Sequence, residues 1–214
     1  VSGGIAHEIR NPLNAVKTST FYLLNAKQVG TEKMNEHLER IDRQVTLIDN
    51  VITALSDVAK LPEPKASACP LLPMLRQVAA SMTLPTDVTI ALPENDEGVA
   101  AWVDDRQIPI VFRNLFRNAR DAMPNGGTIV VELVSAPEWV TVTVRDSGTG
   151  IPPEDLDRIL EPLYSTKARG MGLGLAISSA ILQKNGGTLT VESEVGVGSV
   201  FRATLLPVPQ STDT

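Results

Sequence analysis

The sequence predicts an α+β chain in two parts: a two-helix hairpin that pairs into a four-helix bundle, then a mixed β-sheet covered by helices on one face. Three observations carry that prediction. Met34, Leu38, Ile41, Val45, Ile48, Ile52, Leu55 and Ala59 recur at intervals of four and three, an unbroken heptad stripe. Pro62, Pro64, Pro70 and Pro73 then stop the helical pattern. Beyond them, β-rich runs alternate with helical segments that halt at Asn125-Gly126-Gly127 and again at Asn185-Gly186-Gly187.

Composition sets the outer bounds. A chain of 214 residues with 43% hydrophobic residues has enough apolar material for one large core or two small ones. The net charge of −6, with acids and bases interspersed, argues against a nucleic-acid-binding surface. A single cysteine, Cys69, excludes an internal disulfide and suits a reducing, cytoplasmic setting. No apolar run approaches the ~20 residues of a membrane-spanning helix, so direct membrane contact is not expected. The chain opens on Val1 inside a helical pattern, as a piece of a longer protein would.

The elements follow in order. Ile9, Leu13, Val16 and Leu23 give the first helix, to about Lys27, and 28–31 reads as a turn. Thr31 is a suitable N-cap, with Glu32 placing a negative charge in the first turn. Two antiparallel helices with one apolar stripe each cannot bury both faces within one hairpin, and a second copy resolves this; a homodimer is expected. The boundaries predicted are 1–61 for the dimerisation domain, 62–73 for a linker, 74–209 for a second domain and 210–214 for a disordered tail. Within the second domain, a short helix is expected over Leu71–Met82 and strands over Val88–Leu92 and Ala101–Val103. Asp104-Asp105 starts a helix that runs to Met123. Thr128–Val134 and Trp139–Arg145 form a hairpin. A short helix is expected near Glu154–Leu160, a longer one over Leu173–Lys184, and a second strand pair over Thr188–Glu194 and Ser199–Leu206.

The chemistry-bearing residues stand out from this frame. At about 100° per residue, His7 points away from the Ile9–Leu13 seam and faces outward. Glu8 is its neighbour, Asn11 shares its face one turn on, and Pro12 predicts a kink beside it. His37 has charged neighbours and no such motif, and reads as a solvated surface residue. Asn114 and Asn118 share a helix face and can offer neutral oxygens to magnesium, with Arg117 and Arg120 near phosphates. By spacing alone, a solvated polar face is the favoured alternative. Asp146-Ser147-Gly148-Thr149-Gly150 follows a strand, where Asp146 can accept from an exocyclic amine and the glycines let a flat base approach. Gly170-Met171-Gly172-Leu173-Gly174-Leu175 opens a helix whose free amides suit phosphate. It is not a dinucleotide fingerprint, because it follows an irregular loop late in the domain rather than a first strand.

Taken together, these residues resemble the sensor histidine kinases. Residues 7–13 are similar to the H-box, His-Glu-x-x-Asn-Pro-Leu. Asn114 with Asn118 resembles the N-box, Asp146-x-Gly148-x-Gly150 the G1 box, residues 159–167 the F-box, and Gly170 to Gly174 the G2 box. The likeness covers almost the whole chain and implies a Bergerat-fold ATP-binding domain, of the nitrogen-regulatory type with a short lid. It departs from the family pattern in carrying Leu160 and Leu163 where the F-box has phenylalanines.

The resemblance implies autophosphorylation of His7 from ATP with Mg²⁺, Glu8 orienting the ring or accepting its proton. The phosphoryl group then passes to an aspartate of a response-regulator receiver domain, and Asn11 suits dephosphorylation of that partner. Nucleotide contacts are implied for Asn114, Arg117, Asn118, Arg120, Asp121, Asp146, Gly148, Gly150, Ile151, Thr166, Lys167, Gly170, Gly172, Leu173, Gly174 and Leu175, and metal ligation for Asn118 and Asn114. Asn114 stands where related ATPases carry a water-activating glutamate, so simple hydrolysis should be slow. The alternative is an ATP-binding dimeric scaffold that transfers no phosphate.

Overall fold

A computed structural model of the chain describes residues 2–26, 30–59, 62–95, 98–162, 164, 165 and 172–209, and for 2–9 and 50–59 the backbone only. Two compact units divide it, one of residues 1–60 and 162–173 and the other of 61–161 and 174–214.

The first unit is a helical hairpin of α1 (Ser2–Asn25) and α2 (Thr31–Ala59), packed along one another. Helix α1 runs through Pro12 without interruption, although that ring removes one amide donor from its ladder. Helix α2 has Thr31 as its first helical residue and Glu32 in its first turn; the cap position expected for Thr31 falls to Gly30, whose carbonyl accepts from the Met34 amide at 2.9 Å. His37 differs from expectation. Its ring stacks on Tyr22 across the hairpin, with centroids 4.4 Å apart and planes at 24°. Stacking takes one face of each ring out of water, a gain that a lone imidazole on a charged helix surface lacks. Leu13, Phe21, Leu24, Met34, Leu38 and Val45 remain exposed in the single chain.

The second unit starts inside the proline-rich stretch. Ser67–Pro70 form β1, which pairs antiparallel with β3 (Ala100–Val103), so part of the expected connector is strand. The prolines permit this because Pro70 closes the strand and Pro73 falls in the first turn of α3 (Leu71–Ala80), where amides lack intrahelical acceptors. Cys69 is buried there; burial first, and then the charge of Asp105, pushes its thiol up, which suits a structural residue.

The main sheet has the order β2-β4-β5-β7-β6, with strands at Val88–Ala91 (β2), Gly127–Ser135 (β4), Val140–Asp146 (β5), Thr188–Glu194 (β6) and Gly198–Leu205 (β7). Strand β2 runs parallel to β4 and the other pairs are antiparallel, which makes the sheet mixed. Ile129, Val131, Val142, Val144, Phe201 and Ala203 alternate inward, while Glu132, Arg145 and Arg202 point to the opposite face. Helices α3, α4 (Ile108–Ala122) and α6 (Gly174–Lys184) supply Leu75, Phe112, Leu115, Phe116 and Ile181 to the same core. The short helix expected near 154–160 is a single turn, α5 (Pro153–Leu156).

Asp104 sets the entry to α4. One carboxylate oxygen accepts from the Arg106 and Gln107 amides at 2.8 and 3.1 Å, and the other accepts from the Lys65 amide at 2.8 Å. The Asp104 amide donates to Asn185, whose own amide donates to Gln107, and Gln107 donates to the Pro62 carbonyl. The segment entering the second unit is thus pinned to α4 and to the end of α6. Burial pushes the Asp104 carboxyl up, but three amide donors and the charge of Arg106 outweigh it and hold it below the usual carboxylate range.

Candidate nucleotide site

The site is assembled from the end of β5, the last turns of α4, the β6–β7 turn and the start of α6. Asp146 is buried, and its Oδ1 accepts from the amides of Gly148 at 2.9 Å and Ser199 at 3.3 Å. These donors fix the carboxylate at the strand's end.

The glycines of this loop serve the protein's own packing. A side chain on Gly148 would run into the Ala122 carbonyl, and the adjacent Thr149 amide donates to that carbonyl at 2.9 Å. Gly150, at φ +71°, lies against the backbone of Glu194, and Gly198, at φ +134°, against the carbonyl of Asp146. The Ile151 amide donates to the Ser193 hydroxyl at 2.8 Å. The loop is therefore clamped between α4 and the β6–β7 turn, a close approach the sequence reading assigned to a base.

On α4, Asn114 is buried and its amide is engaged. Its Nδ2 donates to the Gly174 carbonyl at 3.1 Å and the Ser178 hydroxyl at 3.3 Å, while its Oδ1 accepts from Arg117 at 3.3 Å. Asn118 lies one turn on and half-buried. Arg120 and Asp121 bind one another through Oδ1 at 2.8 and 2.9 Å, and Arg120 also donates to the Thr83 carbonyl. That pairing directs both towards the chain after α3 rather than to the Asp146 loop. Gly172 has φ +62°, Leu173 is buried, Leu175 is half-buried, and Gly174 opens α6 with a missing side chain that Arg117 would otherwise meet at 3.1 Å.

The structure brings together Asn114, Arg117 and Gly174, and separately Asp146, Gly148, Gly150 and Ile151. Asn11 is exposed on α1. The side chains of His7 and Glu8, and the whole of Thr166, Lys167 and Gly170, lie outside the described residues. Ser178, Ser193 and Ser199 are residues the sequence reading missed, since a serine on a helix or strand carries no motif. A cleft of about 610 Å³ adjoins Asp146, lined by Thr128, Arg145, Glu192 and Val200 of the open sheet face. It includes neither asparagine nor any part of α6, so the motif cluster and not the cleft defines the site. Among the described residues, no group of three or more His, Cys, Asp or Glu side chains is arranged to hold a metal ion.

Fold and site together define an ATPase-type α+β domain carried behind a helical hairpin. The chain belongs to the family described as histidine kinase-, DNA gyrase B-, and HSP90-like ATPase, which residues 103–210 match, and its residues 1–64 match the His Kinase A (phospho-acceptor) domain. It is similar to sporulation kinase C of Bacillus subtilis (strain 168), 34% identical over 96% of this chain and 48% of that protein. It also resembles the sensor histidine kinase ZraS of Escherichia coli (strain K12), 30% identical over 94% of this chain and 44% of the relative. The chain thus spans about half the length of these relatives. Among solved structures, histidine kinase ThkA in complex with response regulator protein TrrA matches with a TM-score of 0.70 and 22% identity, over 98% of this chain and 62% of that one. ShkA in complex with AMPPNP matches with a TM-score of 0.65 and 23% identity, over 97% of this chain and 46% of that one. Both likenesses bear out the predicted helical hairpin followed by a helix-covered mixed sheet.

Proposed function

We propose that this chain is the kinase core of a sensor histidine kinase, in which His7 takes the γ-phosphoryl group of ATP and passes it to an aspartate of a response-regulator receiver domain. One observation carries the reading: a phospho-acceptor match holding His7-Glu8-x-x-Asn11-Pro12-Leu13 and an ATPase match holding the N, G1 and G2 motifs occur in one chain. In the step itself, the lone pair of one neutral imidazole nitrogen attacks the γ-phosphorus. The bond from that phosphorus to the bridging oxygen breaks, ADP leaves, and the proton on the other ring nitrogen goes to Glu8. Asp146 anchors the adenine amino group and Arg117 faces the phosphates, with Lys167, which lies outside the described residues, the further cation that the F-box resemblance offers.

Magnesium would offset phosphate charge when bound, with Asn118 and Asn114 as the neutral oxygen donors that this face of α4 offers it. Asn11, on the same face as His7, suits hydrolysis of the phosphorylated regulator. The exposed apolar row on α1 and α2 suits a second copy, as the heptad stripe requires. No helix among the described residues is long and apolar enough to cross a membrane. A cytoplasmic position fits the need for ATP and a receiver domain.

Incubation with γ-labelled ATP and Mg²⁺ tests this. Wild type should gain acid-labile, base-stable label and His7→Gln none. Absence of label on both, with ATP still bound and binding abolished by Asp146→Asn, would instead establish a nucleotide-binding scaffold.

A further inference from the structure

Ser178 belongs to none of the motifs above, yet it is wholly buried and bonds to two residues of the site, Gly174 and Asn114. Its hydroxyl donates to the Gly174 carbonyl one turn back at 2.8 Å, an ordinary bond for a serine inside a helix. Its oxygen also accepts from Nδ2 of Asn114, on a different helix, at 3.3 Å, and that same Nδ2 donates to the Gly174 carbonyl at 3.1 Å. A carbonyl has no hydrogen to give, and the serine's only hydrogen is already engaged. Helix α6 therefore presents two acceptors, and only the NH₂ end of Asn114 can face them. A flipped amide would set oxygen against oxygen and leave its NH₂ without those partners.

The orientation has a consequence on the other side of the amide. Asn114 Oδ1 is turned to Arg117, whose guanidinium it receives at 3.3 Å, and the absent side chain of Gly174 leaves that guanidinium its room. Arg117 is thereby held beside the start of α6, where free backbone amides and the helix dipole favour phosphate. We infer that Ser178 is a positioning residue for phosphoryl transfer, acting through the amide of Asn114 to hold Arg117 against the terminal phosphate of bound ATP. This rests on the ATP-site reading above. A preorganised cation at that point stabilises charge on the transferring group without reorganising during the step.

The test is a double-mutant cycle on the full chain with Ser178→Ala, Ser178→Thr and Arg117→Gln. Ser178→Ala should lower the rate of His7 labelling at saturating ATP about five- to tenfold, the scale of one lost preorganised hydrogen bond. ADP affinity should stay unchanged and the preference for ATP over ADP should fall, a split that loosened packing would not produce. Ser178→Thr keeps the hydroxyl and should recover most of the rate. In an Arg117→Gln background, Ser178→Ala should add less than about twofold, because the relay is already cut. Equal losses in both backgrounds, a parallel loss of ADP affinity, or no recovery in Ser178→Thr would each overturn the assignment. If wild type binds ATP but never labels His7, the kinase reading fails. The relay then stands or falls on whether the two substitutions reduce the ATP-over-ADP preference non-additively.

Discussion

At Gly150 the chain holds φ +71° directly against the backbone of Glu194, so a methyl group there meets both left-handed strain and overlap. Gly150→Ala should destabilise the chain by about 3 kcal/mol, measured by chemical denaturation, and weaken nucleotide binding along with it. The pattern Asp-x-Gly-x-Gly marked this loop in the sequence, but its purpose there differed. Spacing says that two glycines flank one residue; it does not say which backbone they approach. Asn114 shows the same gap. Its partnership with Asn118 on one helix face follows from a four-residue interval, whereas its bonds to Gly174 and Ser178 reach 60 and 64 residues along the chain.

Among the elements, α4 and its approach hold the second unit together. Asp104 was expected to start a helix; it instead closes the turn that leads into α4, through the amides of Arg106 and Gln107, and the helix itself begins at Ile108. Its second oxygen, bonded to Lys65, had no sequence signal. Asp104→Ala should cost about 1–2 kcal/mol, the range of a lost helix cap. Because the folded carboxyl sits below its usual range, its contribution is complete above that range and is lost as pH falls through the lowered value. Thermal melting of wild type should therefore drop more steeply than that of Asp104→Asn below about pH 4. Equal slopes for the two proteins would remove Asp104 from the pH response.

For the whole molecule, the apolar row along the hairpin is the feature that a single chain leaves unexplained. Leu38 is 49% exposed and Val45 51%, too much apolar surface on one stripe for a helix that ends its packing with its own partner. Replacing both with glutamate should shift the chain from dimer to monomer in sedimentation velocity, while the melting of the second unit, which contains neither residue, is unchanged. Persistence of a dimer in that variant would place the interface elsewhere. His37 belongs to this scale as well: charged sequence neighbours suggested exposure, and only the return of α1 brings Tyr22 within stacking distance.

The sequence by itself determined the hairpin, the order of strands and helices, the turn positions and the motif residues, because periods of 2.0, 3.5 and 3.6 and turn chemistry are local properties readable in short windows. Tertiary structure alone decided that Ser67–Pro70 become a strand, that His37 stacks, that the G1 glycines clear the way for backbone, and which group each buried polar atom meets. Those outcomes depend on atoms far apart in the chain that packing makes neighbours, and a buried donor or acceptor takes whichever partner packing supplies.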